Sequence, residues 1–384
     1  MKKIAIKTAK ITGITLLVLI ATIFLIPVLF KKQIVALVKK EINKSLEAKV
    51  DFKEVSLSLF RRFPQMSISL DEFSVVGTHE FVKDTLLSTQ TFEASVNLFS
   101  AIQGKDIKVY GIFLESPRIH AFVNKEGKAN WDIAKENGDT STSIDSSPSE
   151  FKMNLENYKI SNGYIYYKDE SSDISVEVAG INHEGSGEFT SDVFVLSTKT
   201  QTNATDFTYA SVPWLANAKA DIDADIEIDN KTGKYTFRSA DITVNNLKLN
   251  ADGFFQLVND STYNMDITFK TPSNDFKDIL SLIPGIYKQD FDKIKTSGQA
   301  IFNGFVKGSY SPRQMPAYDV NLEVKDGSFQ YPDLPEPVKN IQLAMHVSNP
   351  DGNTDNTVVD ISKGHAEMGN EPLDFKILFK NPIS

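Results

Sequence analysis

Residues 221–229 read DIDADIEID, and this stretch decides the fold. Every odd-numbered position in it is Asp or Glu, and every even-numbered position is Ile or Ala. Successive side chains of a β-strand point to opposite faces of its sheet, so a period of two gives one apolar and one charged face. We therefore predict a strand that buries its even-numbered residues and exposes its odd-numbered residues to water.

The same period recurs through most of the chain. Apolar and polar residues alternate in the following further stretches: 55–59, 67–70, 106–109, 247–250 and 322–325. Turn-forming pairs such as Asp252-Gly253 and Asp326-Gly327 separate the alternating stretches. This pattern is typical of antiparallel strands that have one buried and one solvated face.

Two interruptions divide the strand-rich chain into modules. Residues 137–150 (NGDTSTSIDSSPSE) are polar and Ser/Thr-rich, which predicts a flexible linker. A short helix is predicted within residues 271–290, with Ser273 or Asn274 as its N-cap and Pro284-Gly285 at its end. The predicted segments are a cytoplasmic tip and anchor at 1–30, an N-terminal module at 31–136, the linker at 137–150, and β-modules at 151–270 and 291–384 on either side of the helix at 271–290.

One-sided strands greatly outnumber helices in this reading, so many apolar strand faces need cover. A sheet of this length can close into a barrel, pair with another sheet as a sandwich, or form an open trough that holds an apolar guest. The first two arrangements bury protein against protein, whereas the trough needs a lipid-like ligand. The period of two does not distinguish among the three.

The N-terminus carries the features of a membrane anchor. Residues 11–30 (ITGITLLVLIATIFLIPVLF) contain no charge, and a helix of this length spans a hydrocarbon core of about 30 Å. Residues 1–10 contain lysines and no acid, which holds the N-terminus in the cytoplasm and places the body across the membrane. A cleaved signal peptide is the alternative, although its apolar core is shorter. Residues 32–48 predict an amphipathic helix that packs on the sheet or lies at the membrane surface.

Composition and spacing exclude several functional classes. The net charge of −9 argues against nucleic acid as a partner. The absence of cysteine excludes disulfides, thiol catalysis and Cys-ligated metals. The five histidines are scattered without metal-ligand spacing, and Asp221-x-Asp223-x-Asp225 lacks the glycine and glutamate of a calcium loop. We therefore predict no catalytic residues, no cofactor and no metal site.

Several ordered stretches resemble the AsmA family, whose members are inner-membrane-anchored proteins of Gram-negative bacteria. After the anchor comes LFRRFPQMSISLDEFSVVG at residues 59–77. Further stretches follow in the family's order, at residues 98–102, 107–111, 115–119 and 127–133. Residues 276–284 and 331–341 resemble the central region of Bacteroidetes-type members. The resemblance does not extend to the C-terminal region of the family, and we expect that part to be missing from the chain.

The resemblance implies a fold and a function that periodicity alone does not reach. AsmA-like proteins resemble the chorein-like bridge proteins that transfer lipid. The implied fold is mainly β: a transmembrane helix and a short amphipathic helix, followed by a long, twisted antiparallel β-sheet that forms an open groove. The family has no catalytic residues to carry over. Candidates for the groove floor are one face of each predicted strand: Ile68, Leu70, Ile107, Val109, Ile222, Ile226, Leu247, Leu249, Leu322 and Val324.

The resulting hypothesis is an inner-membrane protein whose periplasmic body moves or holds phospholipid for outer-membrane biogenesis and integrity. Its partners would be phospholipid acyl chains, the inner membrane through residues 11–30, and outer-membrane or envelope proteins. The alternative is an anchored scaffold or assembly factor for outer-membrane proteins, which binds protein strands at an open sheet edge without transporting lipid. Continuity of the apolar face is the feature that separates the two hypotheses.

The topology has a direct test. A reporter enzyme that is active only outside the cytoplasm should be active when fused after Gly138, because the lysine-rich residues 1–10 stay inside. Reporter activity in intact cells is the measurement. Activity of a cytoplasm-only reporter fused at the same residue would reverse the topology and remove the functional hypothesis with it.

Overall fold

β-Strands dominate the structure. The computed structural model of the chain describes residues 48–77, 79–82, 84–97, 107–133, 151–259, 262–272, 275–283, 291–311, 314–332, 336–369 and 371–381. These residues contain eighteen strands and one α-helix of five residues, so the predicted mainly β fold is confirmed.

The predicted membrane segments fall on other parts of the chain. The anchor at 11–30, residues 32–47 of the amphipathic helix and the linker at 137–150 lie outside the described residues. Among the residues that are described, no helix is long and apolar enough to cross a membrane.

The chain divides into two compact units, and unit 1 comprises residues 1–165 and 169–171. Its described strands are β1 (Lys49–Asp51), β2 (Glu54–Arg62), β3 (Gln65–Val76), β4 (Thr85–Val96), β5 (Ile107–Glu115), β6 (Arg118–Val123) and most of β7 (Phe151–Asp169). β1 and β2 pair successively with β3, β3 pairs with β4, and β4 pairs with β5 and then β6. All of these pairs are antiparallel. A 3₁₀ turn, His79–Phe81, lies between β3 and β4.

One pair in unit 1 corrects the prediction of a wholly antiparallel sheet. β5 and β7 run parallel, with Ile112 opposite Tyr158 and Leu114 opposite Ile160. Parallel neighbours need a long connection instead of a tight hairpin, and residues 124–150 supply one between β6 and β7. The polar composition of that segment predicts a linker, but it does not reveal the direction in which the chain returns to the sheet.

The core of unit 1 is closed by protein. Met66, Val96 and Val109 are 0%, 2% and 1% exposed, and they pack with apolar residues of β2 and β3. Ser67 and Ser69, on the other face of β3, are buried as well. Both faces of β3 are therefore covered, although strand alternation predicts that its serine face is wet.

A buried carboxylate explains why the serine face is covered. Glu93 on β4 accepts hydrogen bonds from Arg62 Nε at 2.8 Å, from Arg61 Nη1 at 3.2 Å and from the Ser67 hydroxyl at 3.1 Å. Burial by itself would raise the pKa of the Glu93 carboxyl, but the hydrogen bonds from Arg62 and Arg61, with the charge of Arg62, outweigh it and hold the pKa below its usual value. The end of β2 is thereby fastened to β4 across β3.

Unit 2 comprises residues 166–168 and 172–384 and follows a simpler plan. Its strands are β8 (Ile174–Ser186), β9 (Val193–Tyr209), β10 (Val212–Asp229), β11 (Lys234–Val244), β12 (Leu247–Asn259), β13 (Thr262–Lys270), β14 (Lys295–Tyr310), β15 (Ala317–Gln330), β16 (Val338–Asn349), β17 (Val358–Met368) and β18 (Glu371–Lys380). Each strand pairs antiparallel with the next in sequence. Two 3₁₀ turns, Phe291–Lys293 and Thr354–Asn356, lie between strands.

A short helix, α1 (Phe276–Leu280), lies between β13 and β14. Its N-cap is Asp275, whose carboxylate accepts a hydrogen bond from the Lys277 N–H at 2.9 Å. The helix is therefore where the sequence predicts one, but the predicted cap at Ser273 or Asn274 is wrong. The carboxylate of Asp275 satisfies a free N–H of the first turn, so the helix begins immediately after it.

α1 is held against one end of the unit 2 sheet. Phe276 and Leu280 pack with Ala300 of β14 and Val324 of β15. Asn245 lies in the turn between β11 and β12, and its Nδ2 donates a hydrogen bond of 2.7 Å to the carbonyl of Ser281, directly after the helix. Apolar packing and this polar contact together fix the helix on the sheet.

Replacing Glu93 with Gln should destabilise the chain most at neutral pH. Because the folded-state pKa of Glu93 lies below its unfolded value, its interactions add stability above the ordinary carboxyl range and lose it as the pH falls through the folded-state pKa. Removing the charge leaves two guanidinium groups without their shared carboxylate, at a cost of about 1–3 kcal/mol. Thermal unfolding of the detergent-purified chain at neutral and acidic pH measures this. The exposed Glu126→Gln variant is the control, and equal losses in both variants would contradict the role of Glu93.

Candidate functional site

The strand register of unit 2 collects apolar side chains on one side of its sheet. Ile222 on β10 lies opposite Ile242 on β11, which in turn lies opposite Leu249 on β12. Residues directly opposite each other on adjacent strands share a face. These three side chains therefore form one apolar row across three strands.

A second apolar row crosses the later strands of the same sheet. Its members lie opposite one another in register: Phe302, Leu322, Met345, Ile361 and Ile377. Pairing across β13 shows that the two rows lie on the same side of the sheet. Ala251, which shares a face with Leu249 because it lies two residues further along β12, pairs with Phe269. Phe269 in turn pairs with Gly304, which shares a face with Phe302 on β14. We call this side of β10–β18 the apolar face.

The opposite side of these strands is charged. Lys199 Nζ lies 3.2 Å from Asp223 Oδ2, and Lys307 Nζ lies 2.7 Å from Asp266 Oδ2. The Ser197 hydroxyl donates a hydrogen bond to Asp225. Strand alternation thus accounts for the acidic residues of DIDADIEID, and the exposed ion pairs that they form contribute little to stability.

The cover over the apolar face is uneven. Ala300 and Val324, which pack against α1, are 2% and 3% exposed. Ile222, Ile226 and Leu249 remain partly exposed. In the part of unit 2 that the structure describes, α1 is the one α-helix. Protein therefore closes the end of the apolar face at α1, whereas Ile222, Ile226 and Leu249 are only partly covered. The small side chains of Ala224, Ala240 and Ala251 beside them are buried.

Two phenylalanine rings lie over glycines of the neighbouring strand on this face. A Cβ added to Gly304 would lie 2.7 Å from the ring of Phe269, and one added to Gly364 would lie 2.5 Å from the ring of Phe375. Gly304 pairs with Phe269, and Gly364 with Phe375. Each phenylalanine ring lies over the backbone of the glycine that it pairs with. The ring can occupy this position because the glycine has no side chain there.

An aromatic row crosses four adjacent strands at the end of the apolar face that is remote from α1. The ring centroids of Tyr235 and Phe255 are 6.4 Å apart, those of Phe255 and Tyr263 are 5.4 Å apart, and those of Tyr263 and Tyr310 are 6.2 Å apart. These spacings are those of favourable ring pairs. Sequence analysis missed this row, although the sequence contains a signal for it. The aromatic residues lie near the starts of β11 and β13 and near the ends of β12 and β14, which antiparallel pairing brings to the same edge of the sheet.

The nine predicted floor residues whose side chains the structure describes fall into two environments. In unit 2, Ile222, Ile226 and Leu249 lie on the partly exposed region of the apolar face. The remaining three lie near α1: Leu247 is 1% exposed, Val324 is 3% exposed, and Leu322 packs against the cluster that includes the helix.

The candidates in unit 1 are packed against protein. Ile68, Leu70 and Val109 are 7%, 3% and 1% exposed and belong to the buried core of that unit. Ile107 is the first residue of β5, and its side chain lies outside the described part of the chain. Strand alternation identifies the apolar side of each strand correctly here, but it does not show what covers that side. A role in binding lipid stays a prediction for all ten residues.

Three of the five histidines, His183, His346 and His365, have surroundings that the structure describes. His346 Nε2 lies 2.6 Å from Asp319 Oδ2, between β15 and β16. His365 Nδ1 lies 2.7 Å from Asp374 Oδ1, between β17 and β18, and this hydrogen bond raises the pKa of His365 above its usual value. Burial lowers the pKa of His183. Among the described residues, no three His, Asp or Glu side chains are grouped closely enough to hold a metal ion.

Comparison with known proteins identifies the family of this chain. The model of the AsmA family matches residues 1–282, which is well over half of the sequence. A search of curated proteins finds no match. The matched range includes the whole N-terminal motif series, the paired strands from β1 to β13 and the helix α1. The chain therefore belongs to the AsmA family.

Proposed function

We propose that the protein binds phospholipid acyl chains on the apolar face of unit 2 and holds or moves the lipid for outer-membrane biogenesis and integrity. The observation that carries this proposal is the apolar face that strand pairing builds across β10–β18 in spite of local register shifts, most of it beyond the reach of the short helix α1. The AsmA family is associated with the cell envelope and is not known as a family of enzymes, which is consistent with a binding function.

Transfer energetics favour this ligand class. Each acyl CH₂ that leaves water contributes about 0.8 kcal/mol, so ten buried methylenes contribute about 8 kcal/mol. Each apolar row continues from one strand to the next, so a lipid finds similar apolar surface on neighbouring strands. It can therefore move between strands without having to escape from one deep binding site. A surface of this kind suits movement along the sheet better than permanent storage at one position.

The two ends of the apolar face differ in a way that would orient the lipid. α1 closes one end with buried Phe276 and Leu280, whereas the other end carries the aromatic row. Tyrosine has an apolar ring and a polar hydroxyl and favours boundaries between hydrocarbon and water. In our proposal the acyl chains lie toward α1, and the headgroups face the end with Tyr263 and Tyr310.

The proposed location follows from the N-terminal sequence. Residues 11–30 would anchor the chain in the inner membrane, and the lysines of residues 1–10 would place the body in the periplasm. The competing function, an anchored scaffold that binds outer-membrane proteins, would use a sheet edge instead of the sheet face. β18 and β2 are strands that such a partner could pair with, since each pairs with one neighbour, β17 and β3, among the described strands.

The purified full-length chain should carry phospholipid. Mild detergent extraction from cells followed by native mass spectrometry is expected to show bound lipid at more than one molecule per chain, because the apolar face crosses many strands. Chemical extraction of the same sample identifies the headgroup. A chain that is lipid-free and takes up no lipid from added vesicles would contradict the proposal and favour the scaffold function.

A photo-crosslinking residue at Leu249 should form lipid adducts, whereas the same residue at Lys248 should not. The two positions are adjacent on β12 and point to opposite faces, so they differ in surface but not in location. Adducts are measured by mass spectrometry after illumination of cells that express each variant. Adducts at Lys248 alone would place lipid on the charged face and overturn the assignment of the apolar face.

A further inference from the structure

The tip of the β2–β3 hairpin exposes two phenylalanines. Phe60 is 73% exposed and Phe63 is 80% exposed, and these are the highest values among the large apolar residues that the structure describes. Both lie where β2 ends and the chain turns into β3. We call residues 60–64 the hairpin tip. Isolated apolar residues on a surface are ordinary, but two aromatic side chains exposed to this degree within four residues of each other call for an explanation.

Side-chain contacts hold the hairpin tip in place. The two phenylalanines are therefore exposed on an anchored turn. Arg61 and Arg62 both bind Glu93, and the guanidinium carbon of Arg62 lies 3.5 Å from the centroid of the Phe113 ring on β5. These contacts fix the arginines, which lie between Phe60 and Phe63 in sequence, against β4 and β5. The phenylalanines are thereby kept on the outside of the hairpin.

The charge of the hairpin tip is positive after this pairing is counted. Two guanidinium groups share one carboxylate, and the Arg61 and Arg62 side chains stay 58% and 39% exposed. Aromatic rings flanked by partly exposed guanidinium groups match the boundary of a bilayer, where rings enter the acyl region and cations remain among anionic headgroups.

The predicted anchor brings a bilayer within reach of this hairpin. Residue 30 ends the predicted span and residue 60 begins the hairpin tip, and a connection of this length reaches at most about 100 Å when fully extended. β2–β3 is also the first described hairpin after the span. The bilayer that holds the anchor is therefore the apolar partner closest along the chain.

We propose that the hairpin tip inserts Phe63 and Phe60 into the interface of an anionic phospholipid bilayer and fixes unit 1 on the membrane in which the chain is anchored. This contact is separate from lipid binding on the apolar face of unit 2. Either function can fail without the other, because they involve different residues in different units.

Site-specific fluorescence tests the contact on the full-length chain. The sequence has no cysteine, so Phe63→Cys provides a single attachment point for the polarity-sensitive dye NBD. The labelled chain is reconstituted into vesicles of phosphatidylethanolamine and phosphatidylglycerol. We expect a blue-shifted emission that doxyl-labelled lipids quench. Val82→Cys is the matched control, since Val82 is an apolar residue of the same unit that is 59% exposed and lies outside the hairpin tip.

The outcomes separate the possible partners. Quenching at position 63 but not at position 82, weakened when phosphatidylcholine replaces phosphatidylglycerol, supports the proposal. A label at position 63 that resembles the one at position 82 in colour and quenching overturns it. A blue shift without quenching by doxyl lipids places the label at position 63 against protein and also overturns the proposal. Thermal unfolding of both labelled variants confirms that they are folded when compared.

Discussion

The phase of strand pairing is the constraint on which this structure depends. A sheet face stays apolar across many strands only if each strand presents the same parity of residues to that face, and a slip by one residue exchanges the two faces. β11 shows how the phase is kept. Its apolar residues are odd-numbered at Tyr235 and Phe237 but even-numbered at Ala240 and Ile242. A bulge at this point lets Phe237 lie opposite Ile226, and Arg238 is accommodated as the extra residue.

The same rule explains how far the sequence predicts the fold. Residues 218–228 of β10 and residues 247–251 of β12 keep one parity, so their apolar sides are readable directly from the period of two. β5 changes parity between Val109 and Ile112, and β17 changes it between Ile361 and Gly364, and the register shifts at both places. Parity changes therefore mark bulges, a signal that simple alternation overlooks. The parallel β5–β7 pair has no such local signal, because strand direction depends on where a long connection returns.

The burial of a residue is less predictable from the sequence than the side of the strand on which it lies. Leu70 and Leu249 both lie in alternating stretches, yet Leu70 is 3% exposed in the core of unit 1, while Leu249 is partly exposed. Periodicity reports which side of a strand is apolar, whereas burial depends on segments that are remote in sequence. For Glu93 the missing information was the approach of Arg61 and Arg62, which turns a serine face into a buried polar cluster. Where none of the described elements covers the apolar face of unit 2, bound lipid would supply the second layer, so that lipid binding and folding stability would be linked.

The order of strands in unit 2 has a consequence for how such a protein can change size. Each strand from β8 to β18 pairs with its neighbours in sequence, so the sheet is assembled as a one-dimensional series of hairpins. Duplication or deletion of one hairpin adds or removes two strands of opposite direction together, and it keeps the alternation of direction among the others. The flanking strands then meet new partners of the same orientation, and their apolar parity is preserved. Length is therefore a property that evolution can adjust in this architecture by whole hairpins, without redesign of the residues that remain.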